Sequence, residues 1–152
     1  MESEGNYAET AMLIRKPIAK VFDAFIHPEI TTKFWFTKSS GKLEEGKTID
    51  WTWEMFDHTA SIYVISIIPN EKIIIQWGSD KEAIAEWIFK SMGANKTFIT
   101  ITNTGLRGTT NEIMAQIRDA TGGFSWVLAG AKAYLEHDLE LNLIADRYPK
   151  EE

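Results

Sequence analysis

The 152-residue sequence has no cysteine, so it offers no disulfide, no thiolate metal ligand and no thiol nucleophile. It also lacks any apolar run of membrane-spanning length, the longest, such as Ile73-Ile74-Ile75, being strand-sized. Basic residues are the minority, 16 against 22 acidic, for a net charge of -6. Binding nucleic acid or an anionic membrane surface calls for a basic stripe, and the densest basic stretch, Lys33 to Lys47, is broken up by glutamates. Neither partner is expected. Histidine is scarce: His27, His58 and His137 show no ligand spacing. The run Glu136-His137-Asp138 diverges by about 100° per residue around a helix, so no metal is expected. Nucleophile elbows, phosphate-binding loops and dinucleotide fingerprints are missing, which argues against a cofactor, a catalytic nucleophile or a covalent intermediate. Thr121-Gly122-Gly123-Phe124 has the look of an anion loop but lacks the following Lys-Ser/Thr pair and a preceding strand. The acidic, polar start is no secretory signal, and with the absent cysteines it suggests a cytoplasmic protein.

What is present reads as one globular domain over residues 1–152, with 44% apolar and 25% charged residues and loose ends at 1–7 and 148–152. Ala11 to Ile14 reads as a strand. Pro17 then opens a helix with Ile18, Val21, Phe22 and Phe25 on one face, and His27-Pro28-Glu29 opens a second that is expected to reach about Trp35. The period then changes to two. Ile49, Trp51, Trp53 and Met55 alternate with polar residues, and β-rich runs follow at 59–68, 73–77, 83–89 and 97–102, separated at Pro69-Asn70-Glu71, Gly78-Ser79-Asp80 and Gly93-Ala94-Asn95. About five or six strands in an antiparallel meander are implied. Helical spacing returns after Gly105: Thr110 is positioned to cap a short helix carrying Ile113, Met114 and Ile117, with a break at Gly122-Gly123. A longer helix is expected from about Phe124 to Ala145, with Phe124, Val127, Leu128, Ala131, Leu135 and Leu139 on one face. The class is α+β, a curved antiparallel sheet wrapped around a long C-terminal helix.

Aromatic placement marks the candidate site. Tryptophans number six; large indoles often only fill a core, but aromatics converging on the concave face of a curved sheet can enclose a ligand. The predicted cavity lies between the sheet and the last helix, lined by Trp35, Trp51, Trp53, Trp77, Phe89, Phe124, Val127 and Leu128. Residues 109–123 are expected to form its lid, with Met114 and Ile117 over the mouth and hinges at Gly108 and Gly122-Gly123. Among the carboxylates, most of which fall on solvated faces, Glu86 beside Trp87 and Asp138 on the last helix stand out as acid–base candidates.

From Ile14 through the Pro-Ile-Ala-Lys-Val-Phe-Asp-Ala-Phe-Ile-His-Pro-Glu run to Lys33-Phe34-Trp35-Phe36, the chain resembles the opening of START-like (SRPBCC) domains of the heat-shock-protein-90 ATPase-activator-homologue type. The Gly46 turn before Trp51-Thr52-Trp53, the stretch 67–73, and Phe124-Ser125-Trp126 leading into Lys132-Ala133-Tyr134-Leu135-Glu136 are similar too, so the resemblance spans residues 9–143. Two positions depart from it: Ser125-Trp126 stands where a Gly-Trp is usual, and Asn103 follows the last strand. The resemblance implies a helix-grip fold and, among that superfamily's roles, three classes. These are a binding or carrier protein for an apolar small molecule (lipid, acyl or aromatic, polyketide-like), a cyclase or hydrolase using the same cavity, and a protein that contacts a chaperone as an ATPase activator. The aromatics favour the first, and the shortage of converging acids, bases and nucleophiles counts against the second.

Overall fold

The computed structural model describes residues 6–78 and 82–151. Part of the expected Gly78-Ser79-Asp80 turn and most of the loose N-terminal end lie outside the described residues. Seven strands form one antiparallel sheet: β1 (Ala8–Ile14), β2 (Lys38–Ser39), β3 (Thr48–Trp53), β4 (His58–Ile68), β5 (Lys72–Trp77), β6 (Ala83–Ser91) and β7 (Thr97–Thr104), in the spatial order β1-β7-β6-β5-β4-β3-β2. Six of these follow the helices, within the five or six expected there; the short β2, at the sheet edge, carries no alternation of its own. From β3 to β7, consecutive strands pair antiparallel. The one long return lays β1 beside β7, from Ala8 opposite Asn103 to Ile14 opposite Thr97.

Period-two alternation puts one face of every strand inward. Ile49, Trp51 and Trp53 of β3, Ile62 and Val64 of β4, Ile73 and Ile75 of β5, Ala85, Trp87 and Phe89 of β6, and Ile99 and Ile101 of β7 are all buried. The register between β4 and β5 slips at Val64/Ser66. Such a bulge bends its strand and increases local twist, which helps curl the sheet into a trough. Met55, expected to continue β3, instead lies in a 3-10 turn at Glu54–Phe56 that reverses the chain at Asp57, whose φ is 51°.

Two helices follow β1. In α1 (Ile18–Ile26), Val21, Phe22, Ala24 and Phe25 are buried. The second, α2 (Pro28–Thr31), is shorter than expected: it ends at Thr31 rather than near Trp35. Thr31 donates its hydroxyl proton to a backbone carbonyl, Ala24 O lying at 2.5 Å and His27 O at 3.0 Å. The chain then turns so that Phe34, Trp35 and Phe36 all enter the core.

The trough is filled by α3 (Thr110–His137), a continuous helix of 28 residues. Here the sequence expectation needs correction twice. Gly122-Gly123 does not break the helix, and the helix ends at His137, not Ala145. Helix-interior glycine costs about 1 kcal/mol against alanine, and the surroundings outweigh that. Thr109, not Thr110, caps the helix and forms a reciprocal capping box with Glu112. Beyond the glycines, Phe124, Val127, Leu128 and Ala131 are buried against the sheet. Three side-chain ties pin α3 along β1: Thr10 Oγ1 to Ser125 Oγ at 2.7 Å, Lys132 Nζ to Leu13 O at 2.9 Å, and Arg15 N to Glu136 Oε2 at 2.8 Å. Asp138 then takes a left-handed conformation that stops the helix, and a short α4 (Leu143–Arg147) folds back. Among the described residues no helix is long and apolar enough to cross a membrane.

Candidate functional site

The two ends of the trough are packed differently. At one, α1 and large aromatics close the space: Phe89 meets Phe22 and Phe25 at ring-centre distances of 5.0 and 6.0 Å, and Trp51 stacks on Phe36 at 4.6 Å. At the other, the inward residues are small. Ala60 of β4, Ala83 of β6, and Ala120 and Gly123 of α3 face a cavity of about 790 Å³. That volume falls within the range of small-molecule pockets.

The cavity floor comprises the buried Trp35, Trp53, Phe124 and Val127, together with Asn103. Phe124 is the hub, its ring 5.9 Å from Trp35, 5.8 Å from Trp77 and 5.7 Å from Trp87. Trp77 forms part of the wall, half-buried, and its indole Nε1 donates to Asn103 Oδ1 across 3.4 Å. The rim is polar and exposed, with His58, Thr59 and Ser61 on β4, Asp119 on α3 and Arg147 on α4. Tyr148 closes one side of the mouth, edge-on to Phe56 at 5.5 Å, with the Arg147 guanidinium 4.8 Å from its ring centre.

Of the residues expected to line this space, Trp35, Trp53, Trp77, Phe124 and Val127 do so. Trp51, Phe89 and Leu128 do not: they are packed in the solid core, because alternation identifies the inward face but not the position along the strand or helix. Met114 is 54% exposed and Ile117, half-buried, is not part of the wall, so neither side chain stands over the mouth. The structure instead flanks the mouth with α4 and Tyr148, a segment the sequence reading assigned to the last helix and a loose end. The acid–base candidates are elsewhere as well. Glu86 projects from the outer face of the sheet and pairs with Lys72 at 3.4 Å, while Asp138 is exposed at the end of α3. Among the described residues no three His, Asp or Glu side chains converge. Asn103, placed after the last strand by the resemblance and not among the expected lining residues, lies inside β7; the signal for its place is an amide in line with the inward-facing Ile99 and Ile101.

A curved antiparallel sheet gripping a long C-terminal helix, with a cavity between them, defines the helix-grip class of α+β proteins. The chain belongs to the family described as Activator of Hsp90 ATPase homolog 1-like protein, whose profile matches residues 15–136. No curated protein matches the sequence significantly. Similar solved structures include protein SSP2350 from Staphylococcus saprophyticus, 29% identical, with a TM-score of 0.76 over 89% of this chain and 95% of the other. Another is the Aha1 dimer from Colwellia psychrerythraea, 20% identical, with a TM-score of 0.73 over 86% and 96%. A third is DynU16, a protein in the dynemicin biosynthetic locus, 16% identical, with a TM-score of 0.72 over 89% of this chain and 49% of the other.

Proposed function

We propose that this protein binds an apolar small molecule in the cavity between the sheet and α3, as a carrier or receptor rather than as a catalyst. The observation that carries the reading is the cavity itself: about 790 Å³, floored by Trp35, Trp53, Phe124 and Val127, with its charged residues confined to the rim. Such a site removes apolar surface from water at roughly 25 cal/mol per Å² and offers aromatic faces to planar or acyl groups. Among the described residues the floor supplies no nucleophile or titratable acid–base pair of the kind a cyclase or hydrolase uses. The resemblance in fold to DynU16, from a biosynthetic locus, is in keeping with a small-molecule ligand.

The test is a titration with the neutral apolar fluorophore N-phenyl-1-naphthylamine, alongside native mass spectrometry of the purified protein for a co-purifying ligand. Saturable 1:1 binding is expected, and Ala60→Phe, which fills the space from β4, should abolish it while leaving the denaturation midpoint nearly unchanged. Fluorophore binding that survives Ala60→Phe at full affinity would place the binding elsewhere and defeat the proposal.

A further inference from the structure

Asn103 is a poor choice for where it sits. Asparagine is depleted in strands and rarely buried, and an amide taken from water without partners is costly. Yet Asn103 is only 6% exposed, on the inner face of β7 after Ile99 and Ile101, and among the described residues it is the one polar side chain of the cavity floor. Its orientation is fixed by chemistry. The indole N–H of Trp77 can only donate, so the atom facing it at 3.4 Å must be the amide oxygen. Nδ2 is thereby turned away from Trp77. It has no acceptor among the described residues, and it is not sealed in the interior as Trp87 Nε1 is. Its two protons are left to the cavity.

We infer that Asn103 is the polar anchor of the cavity, its Nδ2 donating a hydrogen bond to a neutral oxygen acceptor, a carbonyl, on an otherwise apolar ligand. The inference rests on the reading of the cavity as a small-molecule site and specifies the ligand's chemistry. A neutral acceptor is required because no cationic residue among the described ones shares the floor: Arg147 and His58 are at the rim, and a carboxylate beside Asn103 would lie buried without a counter-charge among them. Trp77 is the positioning residue, holding the amide so that a donor, not an acceptor, meets the ligand.

The test compares 2-acetylnaphthalene with 2-isopropenylnaphthalene, which has nearly the same shape but carries C=CH2 in place of C=O. Transfer from water favours the hydrocarbon, so preference for the ketone reports a hydrogen bond. By calorimetric titration, wild-type protein should bind the ketone about tenfold more tightly, as expected when one buried donor is either satisfied or left unpaired. Asn103→Leu should lose this preference and bind the alkene at least as tightly as the ketone. In wild-type protein, independently of how the variant folds, the Asn103 side-chain amide protons should shift in 1H–15N spectra with the ketone and stay in place with the alkene. Equal wild-type affinity for the two probes, a preference that survives in Asn103→Leu, or unmoved amide resonances would each overturn the anchor while leaving the cavity as a binding site. Failure of both probes to bind would overturn the binding reading along with it.

Discussion

The Oε2 atom of Glu136, on the last turn of α3, accepts the backbone N–H of Arg15, just past the end of β1, at 2.8 Å. The same oxygen lies 2.6 Å from Lys132 Nζ, which also donates to Leu13 O. Burial is the largest influence on this carboxyl and pushes its pKa up. The hydrogen bonds from Lys132 and Arg15, with the charges of Lys132 and His137, outweigh it and leave the group below its usual 4.5. A carboxylate with a lowered folded-state pKa contributes stability above the unfolded value, and that contribution is lost as pH falls through the folded one. The denaturation midpoint of the wild type should therefore decline below pH 4.5 more steeply than that of Glu136→Gln, which starts lower at neutral pH. Parallel midpoint-versus-pH curves for the two proteins would show that this junction does not set the acid sensitivity.

Gly122 and Gly123 lie inside α3, and a Cβ at either would meet nothing within 4 Å. Packing therefore does not demand glycine at these positions. Gly122→Ala should stabilise the protein by up to ~1 kcal/mol through reduced backbone entropy of the unfolded chain. Gly123→Ala should gain a similar amount, but Gly123 lines the cavity, so its methyl group should also weaken N-phenyl-1-naphthylamine binding. Chemical denaturation and probe titration of the two variants check this. A loss of stability in both would mean the glycines serve a conformation other than the straight helix.

These glycines also mark where sequence reading stops. The strands were legible because alternation such as Ile49-Trp51-Trp53 is a local pattern that one-sided burial imposes. So was α1, from its apolar stripe. The continuity of α3 was not legible, because it depends on tertiary contacts of Phe124, Val127, Leu128 and Ala131 that override a local breaker. The site was half legible for a related reason. Trp51 and Trp53 share a face and a strand, yet Trp53 borders the cavity while Trp51 is sealed under Phe36. What distinguishes them is the path of residues 34–36 over the sheet, which lays Phe36 on Trp51 and is not a property of β3's own sequence.

Gly105, between β7 and α3, combines a φ of 72° with a position where a Cβ would overlap the carbonyl oxygen of Glu82. Gly46, in the turn before β3, has a φ of 83° but open space around it. Gly46→Ala should cost only the left-handed strain, about 1 kcal/mol. Gly105→Ala adds the steric clash and should cost about 2–3 kcal/mol. Equal costs in urea denaturation would show that the loop at Glu82 yields without penalty.

Trp87 and Trp51 are each 2% exposed, on the inner face of the same sheet with β5 and β4 between their strands. They differ in one respect: Trp87 Nε1 is the buried side-chain polar atom left without a hydrogen-bond partner among the described residues. An N–H stripped of water and given nothing in exchange costs about 1–3 kcal/mol. Replacing either indole by phenylalanine removes part of a large packed side chain and leaves a void, a loss of about 2–3 kcal/mol judged from large-to-small core substitutions. For Trp51→Phe that loss stands alone, and it should be seen in full because Phe36 and Trp35 lie against the ring at 4.6 and 4.8 Å. For Trp87→Phe, removing the orphaned donor offsets much of it, so the net cost should be smaller by at least about 1 kcal/mol. Urea denaturation followed by far-ultraviolet circular dichroism measures both without relying on tryptophan emission, and unchanged m-values would confirm a common unfolded state. If Trp87→Phe proves as costly as Trp51→Phe, the indole N–H has found a partner, and an interior water molecule bridging it to a backbone carbonyl becomes the explanation to pursue.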